Sequence, residues 1–278
     1  MLHLCKMRYI LSLCLMLTIT SWLFAAKVDT LLINSPSMKK NTKACIVTPE
    51  GYNKAGTVLP VLYLLHGYGG NYQTFVNNFP YITEAADHYG MLLVCPDGGV
   101  SGWYMDSPVD SSMKYETYVT KELVPFIDSS YSTIRNREGR AIMGLSMGGH
   151  GALYLSIRHP EMFGAAGSMS GCLDLRPVFT NWDLEKRLGS IDKFPENWEN
   201  NSVINMLNQI KNGTLSIIID CGVDDIFIDV NRQIHMKLIS LNIGHDYIER
   251  PGGHTREYWS TALPYQLLFF HNYFNRHL

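Results

Sequence analysis

The chain has 278 residues, 46% hydrophobic and 17% charged, which supplies enough apolar material for one sizeable core in a single α/β domain. A formal net charge of -2 leaves no basic excess to hold nucleic acid or anionic lipid by electrostatics, so neither is an expected partner.

At the amino terminus, Lys6 and Arg8 precede an apolar run from Tyr9 to Leu23, and Ala25 and Ala26 follow before the polar segment opening at Lys27. This order of basic, apolar and small residues is that of a secretory signal peptide over residues 1–26, which leaves residues 27–278 as the folded domain. An uncleaved anchor is the alternative, because Leu23 and Phe24 are bulky for the position three before a cleavage site. Either way the domain is expected to be exported, periplasmic or extracellular, with no stable membrane insertion once the signal is cleaved. Cys45, Cys95, Cys172 and Cys221 then remain, in apolar or strand-end contexts that read as buried thiols, with a Cys172–Cys221 bridge as the alternative. No Cys-x-x-Cys or paired-histidine spacing points to a metal, and no cofactor is expected.

From Val61 onward short apolar runs alternate with helical patterns, as parallel strands joined by crossover helices require. Strands are predicted over 44–48, 61–65, 91–95, 140–143, 165–169, 215–220 and 246–249. The clearest helices are predicted over 114–127, 147–158, 230–241 and 257–273, the first and last bent or interrupted at Pro125 and Pro264. Residues 173–201, with two prolines and two tryptophans and little periodicity, read as an insertion over the carboxyl edge of the sheet.

Between the fourth predicted strand and the helix after it lies Gly144-Leu145-Ser146-Met147-Gly148. A serine on so sharp a strand-to-helix turn needs small residues two positions away on either side, and Gly144 and Gly148 satisfy that need. A serine hydroxyl is a weak nucleophile, so it requires a base to take its proton and an acid to orient that base. Cys221-Gly222-Val223-Asp224-Asp225 follows one later strand and Pro251-Gly252-Gly253-His254 the next, which supplies acid and base in the order Ser, Asp, His. Asp225 is preferred to Asp224, which stays open as the acid, and His254 is the base. The oxyanion donors expected in this arrangement are the backbone N–H groups of Met147 and of Tyr68, the latter in His66-Gly67-Tyr68-Gly69-Gly70. His66 and His150 read as structural.

These segments, with Leu64-Leu65 before His66 and with Trp259, resemble the esterase family that groups esterase D (S-formylglutathione hydrolase), feruloyl and acetyl-xylan esterases of carbohydrate esterase family 1, small tributyrin esterases and mycolyltransferases. The resemblance spans nearly all of the chain after residue 26. It implies an α/β-hydrolase with a mostly parallel central sheet and helices on both faces, with Ser146, Asp225 and His254 as triad and Tyr68 and Met147 as oxyanion donors. The Trp103-Tyr104-Met105-Asp106 stretch resembles the family's loop beside the acyl site, which makes Trp103 and Tyr104 candidates for lining the cleft, with packing within the loop as the alternative. The expected activity is hydrolysis of carboxylic esters through an acyl-enzyme, on acetyl or feruloyl esters of carbohydrates or on small short-chain esters. Acyl transfer of the mycolyltransferase type and noncatalytic binding on a hydrolase fold are the alternatives.

Overall fold

The computed structural model describes residues 26–52 and 56–278. Of the expected signal segment only Ala26 falls among them; residues 1–25 lie outside the described residues. Eight strands form one sheet: β1 (Lys27–Ser35), β2 (Lys40–Thr48), β3 (Val61–Leu65), β4 (Leu92–Pro96), β5 (Arg140–Leu145), β6 (Ala165–Met169), β7 (Ser216–Gly222) and β8 (Asp246–Arg250). Their spatial order is β1-β2-β4-β3-β5-β6-β7-β8. The β1–β2 and β2–β4 pairs are antiparallel and every other pair is parallel. This is the α/β-hydrolase architecture.

Strands β3 and β4 carry no charged residue and are buried along their whole length because both of their faces are covered. In β3 the side chains of Val61, Tyr63 and Leu65 enter one core, while Leu62 and Leu64 enter the other. Helix α1 (Ile82–Tyr89) packs into the second core, α2 (Val124–Ser130), α3 (Met147–Arg158) and α4 (Ile228–Ser240) into the first, and α5 (Arg256–His277) into the second. Each fully buried aliphatic or aromatic side chain contributes about 1.5–3 kcal/mol, so the two cores fix the sheet between its helices.

Strand β1 is absent from the predicted elements. It is an edge strand whose burial pattern is largely exposed or intermediate, with only Ile33 and Ser35 buried, so its sequence carries little of the pattern that marks a core strand. Neither proline interrupts its helix. Pro264 lies inside the continuous 22-residue α5. It deprives the Ser260 carbonyl of the usual donor four residues on, and the Tyr81 hydroxyl donates to that oxygen instead, at 3.0 Å. Pro125 stands in the first turn of α2, directly after a π-helical turn at Tyr118–Leu123, so the change of helical register occurs before it.

Cys45, Cys95, Cys172 and Cys221 are buried free thiols, and no Cys172–Cys221 bridge is formed. Burial pushes the Cys45 thiol up to about 11. Among the described residues no helix is long and apolar enough to cross a membrane.

Candidate active site

Ser146 stands between β5 and α3 with φ 55 and ψ -118, a left-handed conformation that a non-glycine residue adopts only when its surroundings force it. Its neighbours do so. A Cβ on Gly144 would lie 2.4 Å from the Gly148 backbone, and one on Gly148 would lie 2.0 Å from the Leu65 carbonyl oxygen. Three backbone segments therefore meet behind the serine with no room for a side chain. The Ser146 N–H donates to the Met169 carbonyl on β6 at 2.9 Å, which ties the turn to the sheet.

The hydroxyl faces His254. The Ser146 Oγ lies 2.9 Å from His254 Nε2, and His254 Nδ1 lies 3.0 Å from each carboxylate oxygen of Asp225. Because a carboxylate only accepts, Nδ1 carries the proton and Nε2 is left free to accept from the serine. The loop after β7 holds Asp225 at 3% exposure, with the Phe227 N–H donating to its Oδ1 at 2.9 Å. Asp224 is exposed, and its backbone N–H donates to the Gly252 carbonyl at 2.9 Å, so the structure brings Asp225 and not Asp224 to the imidazole. Phe227 and Trp259 present their rings edgewise to His254 at 5.1 and 5.0 Å, which confines it from two sides.

Beside the serine runs the loop after β3. A Cβ on Gly67 would lie 3.4 Å from the Ser146 Cβ, so this loop touches the elbow. Among the described residues the Tyr68 N–H meets no backbone acceptor, while the Gly69 N–H donates to Val100 at 2.9 Å. Met147 opens α3, where the first amides of a helix have no acceptor within it. The arrangement thus offers a hydroxyl, a base, a buried acid and two unspent amide donors at the carboxyl edge of the sheet.

A cleft of about 490 Å³ opens over this group. Leu145, Trp182 and Trp259 supply apolar surface, and Asn71, Thr74, Asn77 and Asn78 supply polar surface. Trp182 belongs to the 173–201 segment, which lies over the sheet edge as expected, and its ring meets Phe227 at 5.5 Å. The polar wall is not among the residues the sequence singles out. Its signal is the spacing of Thr74, Asn77 and Asn78 on one face of a short helix anchored by buried Phe75 and Phe79.

The expectation that Trp103 and Tyr104 line the cleft is corrected. Both are buried, at 1% and 0% exposure, and neither borders it. Trp103 donates from its indole N–H to the Trp182 carbonyl at 3.2 Å, and the Tyr104 hydroxyl donates to the His66 carbonyl at 3.2 Å. They brace the loops that form the walls. His150 is buried as well, with Nε2 at 2.8 Å from the Asn201 carbonyl, and burial pushes its pKa down to about 4. Among the described residues no cluster of three or more His, Cys, Asp or Glu is placed to hold a metal ion.

A family model described as "Putative esterase" matches residues 35–270. An esterase of Mycobacterium tuberculosis (Esterase Rv1288) is 30% identical over 237 residues, covering 75% of this chain and 51% of the relative. The chain thus spans about half the length of the mycobacterial esterases it matches. An acetyl esterase of Caldicellulosiruptor saccharolyticus is 28% identical over 245 residues, 81% of this chain and 91% of the relative. Among solved structures, a ferulic acid esterase superposes with a TM-score of 0.77 at 27% identity, covering 90% of this chain and all of the other.

Proposed function

Since the chain belongs to the esterase family matched over residues 35–270, we propose that it is an exported carboxylic ester hydrolase acting through Ser146, His254 and Asp225. The observation that carries the proposal is the unbroken relay from the Ser146 hydroxyl through His254 to Asp225, with contacts of 2.9 and 3.0 Å, at a strained strand-to-helix turn.

The chemistry follows from those contacts. Ser146 Oγ adds to the ester carbonyl as its proton passes to His254 Nε2, and Asp225 stabilises the imidazolium without taking the proton. The tetrahedral oxyanion accepts from the Tyr68 and Met147 N–H groups, which are fixed before the charge appears and so need no reorganisation. His254 returns the proton to the leaving alcohol, and water then repeats the sequence on the acyl-enzyme to release the acid. Acetyl or feruloyl esters of carbohydrates, and small short-chain esters, are the proposed substrates. The acetyl and ferulic acid esterases among the relatives support the acyl group. A cleft lined by two tryptophans and three asparagines suits an alcohol with both apolar and hydroxylated surfaces.

Initial-rate hydrolysis of p-nitrophenyl acetate, methyl ferulate and acetylated xylan tests this reading. Ser146→Ala is expected to lower turnover on every substrate by about 10⁶-fold while leaving the fold intact. Unchanged turnover in that variant would refute the assignment. New ester formed faster than free acid in the presence of a sugar acceptor would replace hydrolysis with acyl transfer.

A further inference from the structure

We infer that His66 is a positioning residue for the oxyanion hole: its imidazole fixes the plane of the Gly67–Tyr68 peptide and thereby aims the Tyr68 N–H. The inference rests on the proposed roles of Ser146 and Tyr68.

His66 follows β3 and is 1% exposed. Its Nδ1 lies 2.7 Å from the Gly67 carbonyl oxygen, and its Nε2 lies 2.8 Å from the Gly98 nitrogen. A carbonyl only accepts and a backbone N–H only donates, so the two partners select one form of the ring, neutral and protonated on Nδ1. An imidazolium would set Nε2–H against the Gly98 N–H. Burial acts in the same direction and holds the group below its ordinary pKa.

The Gly67 carbonyl and the Tyr68 N–H belong to the same peptide unit. That unit is planar and trans, so its oxygen and its hydrogen point to opposite sides, and a donor that holds one aims the other. The Gly70 N–H also donates to the Gly67 oxygen, at 3.0 Å. Held by two donors, the oxygen cannot rotate toward Ser146 and turn the N–H away. Both bonds also polarise the amide in the sense that strengthens Tyr68 as a donor. Gly98 belongs to the loop after β4, as do Val100, which accepts from Gly69, and Tyr104, which donates to the His66 carbonyl. The β4 loop is therefore the anchor from which the oxyanion donor is set.

Two substitutions separate this role from simple loop support. His66→Asn keeps an N–H donor at the position of Nδ1, whereas His66→Gln keeps an acceptor at the position of Nε2 and loses the donor to Gly67. His66→Gln is expected to lower kcat on p-nitrophenyl acetate about 10- to 100-fold with KM within about twofold. It should weaken inhibition by a trifluoromethyl ketone by a similar factor, since addition of Ser146 Oγ to that ketone places an oxyanion in the hole as the proton moves to His254. His66→Asn should recover most of both losses. Equal losses in the two variants, following their thermal stability, would overturn the inference, as would an unchanged kcat in His66→Gln. Nitrogen-15 NMR of the wild-type ring gives a readout independent of activity: a protonated Nδ1 and bare Nε2 are expected, and the opposite tautomer overturns the inference. A wild-type protein that hydrolyses no ester overturns the hydrolase reading and this inference together. An active wild type with an indifferent His66→Gln overturns only the inference.

Discussion

Two loops meet at Ser146, and they are held by different means. The elbow is backbone packed against backbone, with Gly148 directly against the Leu65 carbonyl and no side chain between them. The loop after β3 is held by hydrogen bonds, from the His66 ring and from the Gly69 and Gly70 amides. Steric contact of the first kind admits almost no change, because an added atom must displace the sheet itself. Hydrogen bonding of the second kind sets direction, so it can be perturbed while the fold survives. Behind each loop stands a buried neutral histidine, His66 in one case and His150 on α3 in the other.

The sharpest break in this contrast is Gly148→Ala, whose Cβ would lie 2.0 Å from the Leu65 oxygen. It is expected to destabilise the fold by about 3 kcal/mol and to abolish turnover, read together by thermal unfolding and initial rates. Gly70→Ala is the matching change in the other loop, since its Cβ would lie 2.9 Å from His66 Nδ1 and 3.0 Å from the Gly67 oxygen. Here kcat should fall by about tenfold while the unfolding midpoint barely moves. Equal stability losses in the two alanine variants would erase the distinction.

Acid sharpens the comparison from the elbow side. The folded-state pKa of His150 is pushed down by burial from 6.5 to about 4, so the folded chain holds fewer protons than the unfolded chain between those values. The stability this group contributes is fully present above pH 6.5 and is lost as the pH falls toward about 4. Unfolding midpoints measured from pH 7 to pH 4 should fall less steeply in His150→Phe than in the wild type. The smallest expected effect is that of Tyr68→Phe. Its donor is main chain, and the exposed hydroxyl reaches Asp183 only at 3.5 Å, so kcat should stay within about twofold.

Much of this site is legible in the order of residues alone. The glycines around Ser146 announce a strained turn, and the later strand-end loops place Asp225 and His254 in the order the chemistry needs. Those signals are local: each depends on a strand, a turn and a few residues beyond it. The hairpin strand β1 is illegible because an edge strand with two buried residues lacks the apolar run that marks a core strand. Trp103 and Tyr104 mislead for the opposite reason. They have the aromatic character of cleft walls, but φ values of 52 and 55 turn this stretch inward, where the rings are buried.

The sequence by itself determined the order of the strands from β2 onward, the elbow and the candidate serine and histidine, because strand period and glycine spacing are properties of neighbouring residues. Only the tertiary structure brought Asp225 rather than Asp224 to the His254 imidazole, gathered asparagines and tryptophans into one cleft and turned His66 onto the Gly67 carbonyl. Those outcomes depend on which side chains from distant parts of the chain meet at one edge of the sheet. That meeting is settled by how the crossover helices pack, which no local pattern records.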